Sequence, residues 1–167
     1  MRRQHRFHGD SKRFFVVADF IYQTYGTKVK YIADIAGGQG YLSRLLNKRF
    51  NYEAQVVDPR GWVMKGIQNR PEDFRADMAD YYDLIVGLHP DQAILEVAKA
   101  ALIKPTVLIP CCNFWSEEKL GRDELLAAIE NYYHRNSVSF KRFALNFKGP
   151  HNYAIVSAPT SLNEGGS

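Results

Sequence analysis

Apolar and polar positions along the chain switch between two spacings. Over residues 11–25 the spacing is helical: Phe14, Phe15, Val17, Ala18, Ile21 and Tyr22 fall on one face. Asp10 or Ser11 stands in front as a cap, and Gly26 ends the run. Short apolar runs follow at residues 29–35, 54–58, 83–89 and 106–110, which predict strands. Between them, helical spacing returns at 40–50, 92–102 and 117–134, and more weakly at 62–70, while residues 73–78 are expected to hold a short third strand. Beyond 137 the spacing becomes that of a hairpin, with strands at 138–147 and 152–157 joined across Lys148-Gly149-Pro150-His151. The pattern predicts an α/β domain whose parallel sheet is closed by a terminal antiparallel hairpin.

One local string stands out. The first strand ends in Asp34-Ile35-Ala36-Gly37-Gly38-Gln39-Gly40 and runs straight into the helix that begins at Tyr41. Glycines allow a sharp turn and a close backbone approach, and a helix N-terminus presents unpaired N–H groups with partial positive charge. The second strand ends in Asp58, 24 positions after Asp34. In nucleotide-binding sheets an acid about 20 residues past the glycines holds ribose hydroxyls. The glycines lack the dinucleotide register, and the acid at Asp34 suits a ligand with a cationic amino-acid end, which favours S-adenosylmethionine.

Asp-x-x-Gly-Gly-x-Gly followed by an acid-tipped second strand resembles the class I S-adenosylmethionine-dependent methyltransferases. The resemblance implies a Rossmann-like, doubly wound, mostly parallel seven-stranded sheet with a C-terminal antiparallel hairpin. It implies S-adenosylmethionine as cofactor, held by Asp34, Ala36, Gly37, Gly38, Gly40, Tyr41, Asp58 and Pro59. After the third strand it places Asp77 and Met78 at the adenine, and after the fourth it adds Gly87 and Leu88. His89 and Asp91 then fall at the reaction site, as base and acceptor-pocket acid. The relatives' Asn/Asp-Pro-Pro-aromatic and Pro-Cys boxes are absent there. A His-Pro string after strand four with Cys111-Cys112 after strand five loosely resembles a branch that includes a tRNA ribose 2′-O-methyltransferase.

Composition narrows the setting. The 167 residues suit one domain, and 46% hydrophobic content is enough for a full core. No apolar run reaches the roughly 20 residues of a membrane span. The two cysteines are adjacent, which gives no disulfide framework and points to a reducing, cytoplasmic setting. Cys111-Cys112 admits three readings: buried small hydrophobes, a nucleophile toward a pyrimidine, or part of a metal site, for which the ligand count is too low. No metal is expected.

Charge is unevenly placed. Residues 1–14 hold Arg2, Arg3, Arg6, Lys12 and Arg13 against Asp10, so the entire formal excess of +4 sits at this end. The organisation read from the sequence is a basic arm at 1–10, a single domain at 11–158 and a flexible tail at 159–167. Such an arm suits RNA phosphates, with Arg2, Arg3 and Arg6 as contacts. Asn113, Phe114 and Trp115 are the expected substrate contacts after the fifth strand, the two aromatics either stacking on a base or packing on the helix after strand four. The expectation is a methyltransferase acting on RNA, with a small-molecule acceptor or a non-catalytic cofactor-binding subunit as alternatives.

Overall fold

The computed structural model describes residues 9–111 and 114–160. The arm residues Arg2, Arg3 and Arg6, together with Cys112, Asn113 and residues 161–167, lie outside the described residues.

Seven strands form one sheet: β1 Tyr31–Ile35, β2 Glu53–Val57, β3 Asn69–Arg70, β4 Leu84–Leu88, β5 Thr106–Ile109, β6 Val138–Ala144 and β7 Tyr153–Pro159. Their order is β3-β2-β1-β4-β5-β7-β6. The first five pair in parallel, whereas β7 runs antiparallel to both β5 and β6. The expected doubly wound sheet with its closing hairpin is therefore the architecture found. β7 reaches Pro159, one residue into the segment assigned to the tail.

Four α-helices cover the faces: α1 Arg13–Tyr25, α2 Tyr41–Phe50, α3 Ile94–Ala100 and α4 Arg122–Arg135. Val17 and Ile21 of α1 and Leu42 and Leu46 of α2 meet Ile32, Val86 and Val107 on one face. On the other, Val97 of α3 and Leu126, Ile129 and Tyr133 of α4 meet Ala33, Ile85 and Leu108. β4 and β5 are buried throughout, which explains why their sequences are continuous apolar runs rather than alternating ones.

Four elements depart from the sequence reading. Residues 62–70 form no helix, because Gly61 and Gly66 take positive φ and the segment ends as the two-residue edge strand β3. The third strand is therefore at 69–70, not 73–78, and Ala76–Tyr81 winds into a 3-10 helix whose Met78 and Ala79 enter the core. The helix expected at 92–102 begins with a 3-10 turn, Asp91–Ala93, and becomes α-helical only at Ile94. α4 starts five residues later than expected, behind Gly121.

Gly87 owes its identity to packing in this frame. A Cβ there would lie 3.1 Å from Val97 Cγ1 and 3.2 Å from Pro90 Cγ. Gly87→Val should therefore cost about 1–3 kcal/mol through overpacking between β4 and α3. Urea unfolding of the variant measures it, and an unchanged midpoint would show that the contact relaxes freely.

Candidate functional site

The parallel strands end on one side of the sheet, and the expected site residues gather there. The turn after β1 is built around a buried carboxyl. Asp34 lies beneath Gly37, whose Cα has no room for a side chain: a Cβ would come within 2.6 Å of the Asp34 carboxyl. The Ser43 hydroxyl donates to Asp34 Oδ2 at 2.8 Å, and the Ser43 backbone N–H also donates to this carboxyl. Asp34 thus caps the first turn of α2 from the preceding strand. Gly40 has φ 89°, and a Cβ there would meet Ile67 at 2.7 Å.

Asp58, just past β2, is buried and turned toward the same glycines. Its Oδ2 accepts from Gly38 N–H at 3.0 Å and from Arg60 Nη2 at 2.6 Å. Its Oδ1 accepts the Arg60 backbone N–H at 2.9 Å and Nε at 3.0 Å. Burial alone would raise this carboxyl, but the bonds from Arg60 and Gly38 outweigh it, and Asp58 titrates below its ordinary value.

A cavity of about 510 Å³ opens between these elements. It is bordered by Ala36, Asp58, Pro59 and Arg60 on one side and by Pro90, Asp91, Gln92 and Ala93 on the other, with Asp73 and Phe114 at its edge. Ala36, His89 and Asp91 all have positive φ, near 50°. The other two such non-glycines, Asn51 and Ser137, follow helix ends, where this conformation is routine. Among the described residues, the strained backbone thus falls at the tips of β1 and β4.

His89 adjoins the cavity: its chain neighbours Pro90 and Asp91 border it, and His89 itself is only partly buried. Its backbone N–H bonds the Ile109 carbonyl, and its Nε2 lies 2.9 Å from the His151 carbonyl in the β6–β7 connection. A carbonyl only accepts, so Nε2 carries the proton and the neutral ring keeps its lone pair on Nδ1. Burial, with nearby Arg13, lowers the His89 pKa, although the bond to His151 works the other way. The same connection is tied to the root of the arm, since Asp10 Oδ2 accepts the Lys148 backbone N–H at 2.9 Å. Cys111 Sγ lies 3.4 Å from Asp91 Oδ1 and donates to it.

Of the residues named from the sequence, Ala36, Asp58, Pro59, Asp91 and Phe114 border one cavity. Several assignments need correction. Asp34 is covered by Gly37 and serves the turn, so it offers no surface to a cationic group. Met78 is buried in the core, and exposed Asp77 pairs with Arg75; Asp73 is the acid that reaches the cavity. Gly87 and Leu88 are core positions. Trp115 packs edge-on against Tyr132 instead of facing a ligand, and Tyr41 lies against Phe14. Arg60 was missed, although its place two residues after the strand-tip acid is a signal for a local side-chain clamp. Among the described residues no group of three metal-ligating side chains forms, and no helix is long and apolar enough to cross a membrane.

Neither a family model nor a curated protein sequence matches the chain. Solved structures do. The chain is similar to the sugar N-methyltransferase KedS8 from Streptoalloteichus sp ATCC 53650, with 12% identity over 95% of this chain and 96% of that one, TM-score 0.54. It is similar to the plantazolicin methyltransferase BpumL in complex with SAH, at 11% identity, 89% and 85% coverage, TM-score 0.57. A chain of the Pnkp1/Rnl/Hen1 RNA repair complex matches 93% of this chain over 42% of its own length, at 14% identity and TM-score 0.57. The fold is that of the Rossmann-like methyltransferases.

Burial raises the Asp34 pKa to about 7, with Asp58 adding to the rise and the Ser43 bonds opposing it. The folded chain then holds a proton that the unfolded chain releases near pH 4, so this group lowers stability as pH rises from about 4 to about 7. Asp34→Asn keeps an oxygen for Ser43 and removes the titration. Thermal melting across pH 4–8 should show the variant gaining on the parent as pH rises, by up to a few kcal/mol. Parallel curves would mean that Asp34 stays ionised.

Proposed function

We propose that this chain is an S-adenosylmethionine-dependent methyltransferase, with the cofactor in the cavity between the glycine turn and the β4 tip. The observation that carries the reading is the bond from Gly38 N–H to Asp58 at the border of that cavity, on a fold shared with methyltransferases. The residues fit such a group. Gly38 and Gly40 open the backbone at the start of α2, and the cavity has the volume of a small-molecule site. Asp58 is the acceptor for ribose hydroxyls, and Asp73 is placed to reach the adenine. When bound, S-adenosylmethionine supplies a methyl group on a cationic sulfur.

The chain's own part is positioning and proton handling. His89 is neutral near pH 7, because its pKa lies below the ordinary value, and Nδ1 is the nitrogen that can take a proton from an acceptor. Cys111 Sγ is turned to Asp91, so the thiol group is engaged by a carboxylate at the β4 tip, and we favour an oxygen or nitrogen acceptor over a pyrimidine carbon. For the acceptor we favour RNA, with the basic arm as the phosphate-binding segment. Asp10 anchors the root of that arm to the connection that holds His89. The neighbour described as a sugar N-methyltransferase favours a second reading, a small-molecule acceptor.

Transfer of labelled methyl groups from S-adenosylmethionine into total RNA, against a small-metabolite extract, separates the two. Label in RNA is expected; label only in metabolites selects the second reading, and none in either removes both. Deleting residues 1–9 takes away three arginines and should flatten the salt dependence of RNA binding by about two to three in slope. An unchanged slope would leave the arm without a phosphate role.

His89→Gln keeps a side-chain N–H for the His151 carbonyl and removes the imidazole base. Turnover should fall by about 10²-fold or more while affinity for S-adenosylhomocysteine and melting temperature stay close to the parent's. Retained turnover would take His89 out of the chemistry.

A further inference from the structure

Asp58 has no acceptor capacity to spare. Four N–H groups converge on its two oxygens: Gly38 N–H, and the backbone N–H, Nε and Nη2 of Arg60. A carboxylate offers about four lone-pair sites, so all are in use. A ribose diol brings two O–H donors to the same carboxylate, and both need a free site. Two of the present donors belong to backbone that forms the turn, whereas the other two belong to one side chain. We propose that the Arg60 guanidinium is a latch on the cofactor site, released from Asp58 one-for-one as the two ribose hydroxyls bind.

The exchange balances. Arg60 gives up Nε and Nη2, the diol supplies two donors in their place, and the bonds from Gly38 N–H and Arg60 N–H remain. The direction is set by solvation. The Arg60 side chain is 61% exposed at the cavity border, so its released charge passes into water at little cost. Asp58 is buried and cannot do the same, so it must always be partnered. Arg60 therefore serves the empty site by covering a carboxylate that would otherwise be desolvated alone. It selects for ligands that carry both hydroxyls, because a ligand with one or none leaves part of the exchange unmade.

This inference rests on the cofactor reading above, and calorimetry with S-adenosylhomocysteine tests the two separately. Arg60→Met keeps the aliphatic stem and removes the competing donors. It should bind about three- to tenfold more tightly than the parent, the range for an ion pair exposed at one end only, with a faster association rate. In an Asp58→Asn background, which weakens both the latch and the diol contact, the gain from Arg60→Met should shrink to less than about twofold. If the parent binds and folded Arg60→Met binds equally or more weakly, the latch is overturned and the cofactor reading stands. If neither binds, both fall. Should Arg60→Met fail to fold, Arg60→Lys replaces it: a single ammonium cannot make the fork, and a tighter complex is again expected.

Discussion

The carboxyl of Asp34 under Gly37 is the constraint on which the ligand-binding end of the fold depends. It sits at the tip of a central strand, is bonded by Ser43 in the first turn of α2, and allows no side chain on the residue above it. Strand, turn and helix are thereby locked at one angle. That angle points Gly38 N–H at Asp58 on the neighbouring strand, and so determines where the cavity lies. Burial penalises the charge on both acids, and they meet that cost differently. Asp34 holds a proton up to about pH 7, whereas Asp58 stays ionised by recruiting Arg60.

Much of this was legible in the sequence, for reasons that are local. The strand–glycine–helix string and the second acid are set by near-neighbour chemistry, and the run of apolar strands followed by a hairpin pattern announces a parallel sheet with an antiparallel end. The residues misplaced are those decided by packing between distant segments. Met78 reads as an adenine contact at the end of a short strand, yet the 3-10 turn carries it into the core cluster that also holds Phe74 and Val97. Trp115 reads as a substrate contact because its partner, Tyr132, lies 17 positions further along, on α4, where no local spacing pairs the two. The crossover after β2 has helical spacing, but Gly61 and Gly66 override it. Asp34 was recognised as important and given the wrong task, because spacing shows that an acid is present and not which way it is covered.

The strained positions follow the same division. Ala36, His89 and Asp91 hold left-handed backbone where no glycine relieves it. Each is over-determined by bonds: Ala36 N–H to the Val57 carbonyl, His89 N–H to the Ile109 carbonyl, and Asp91 by the thiol of Cys111. Strain of this kind costs about 1–3 kcal/mol per residue and persists only under such restraint. The tips of β1 and β4 are therefore fixed in advance of any ligand.

The crossover from Pro59 to Ile67 is the opposite case. Its backbone is held by Arg60 N–H on Asp58, Met64 N–H on the Gln39 carbonyl, and a turn at Ile67. A helix of the same length would tie nearly every amide and pack a full face on the sheet. Here few backbone bonds hold one wall of the cavity, the condition under which a segment opens at less cost than global unfolding. Sequence drift in that wall leaves the sheet untouched, so the shape of what the cavity accepts can diverge faster than the fold that presents it.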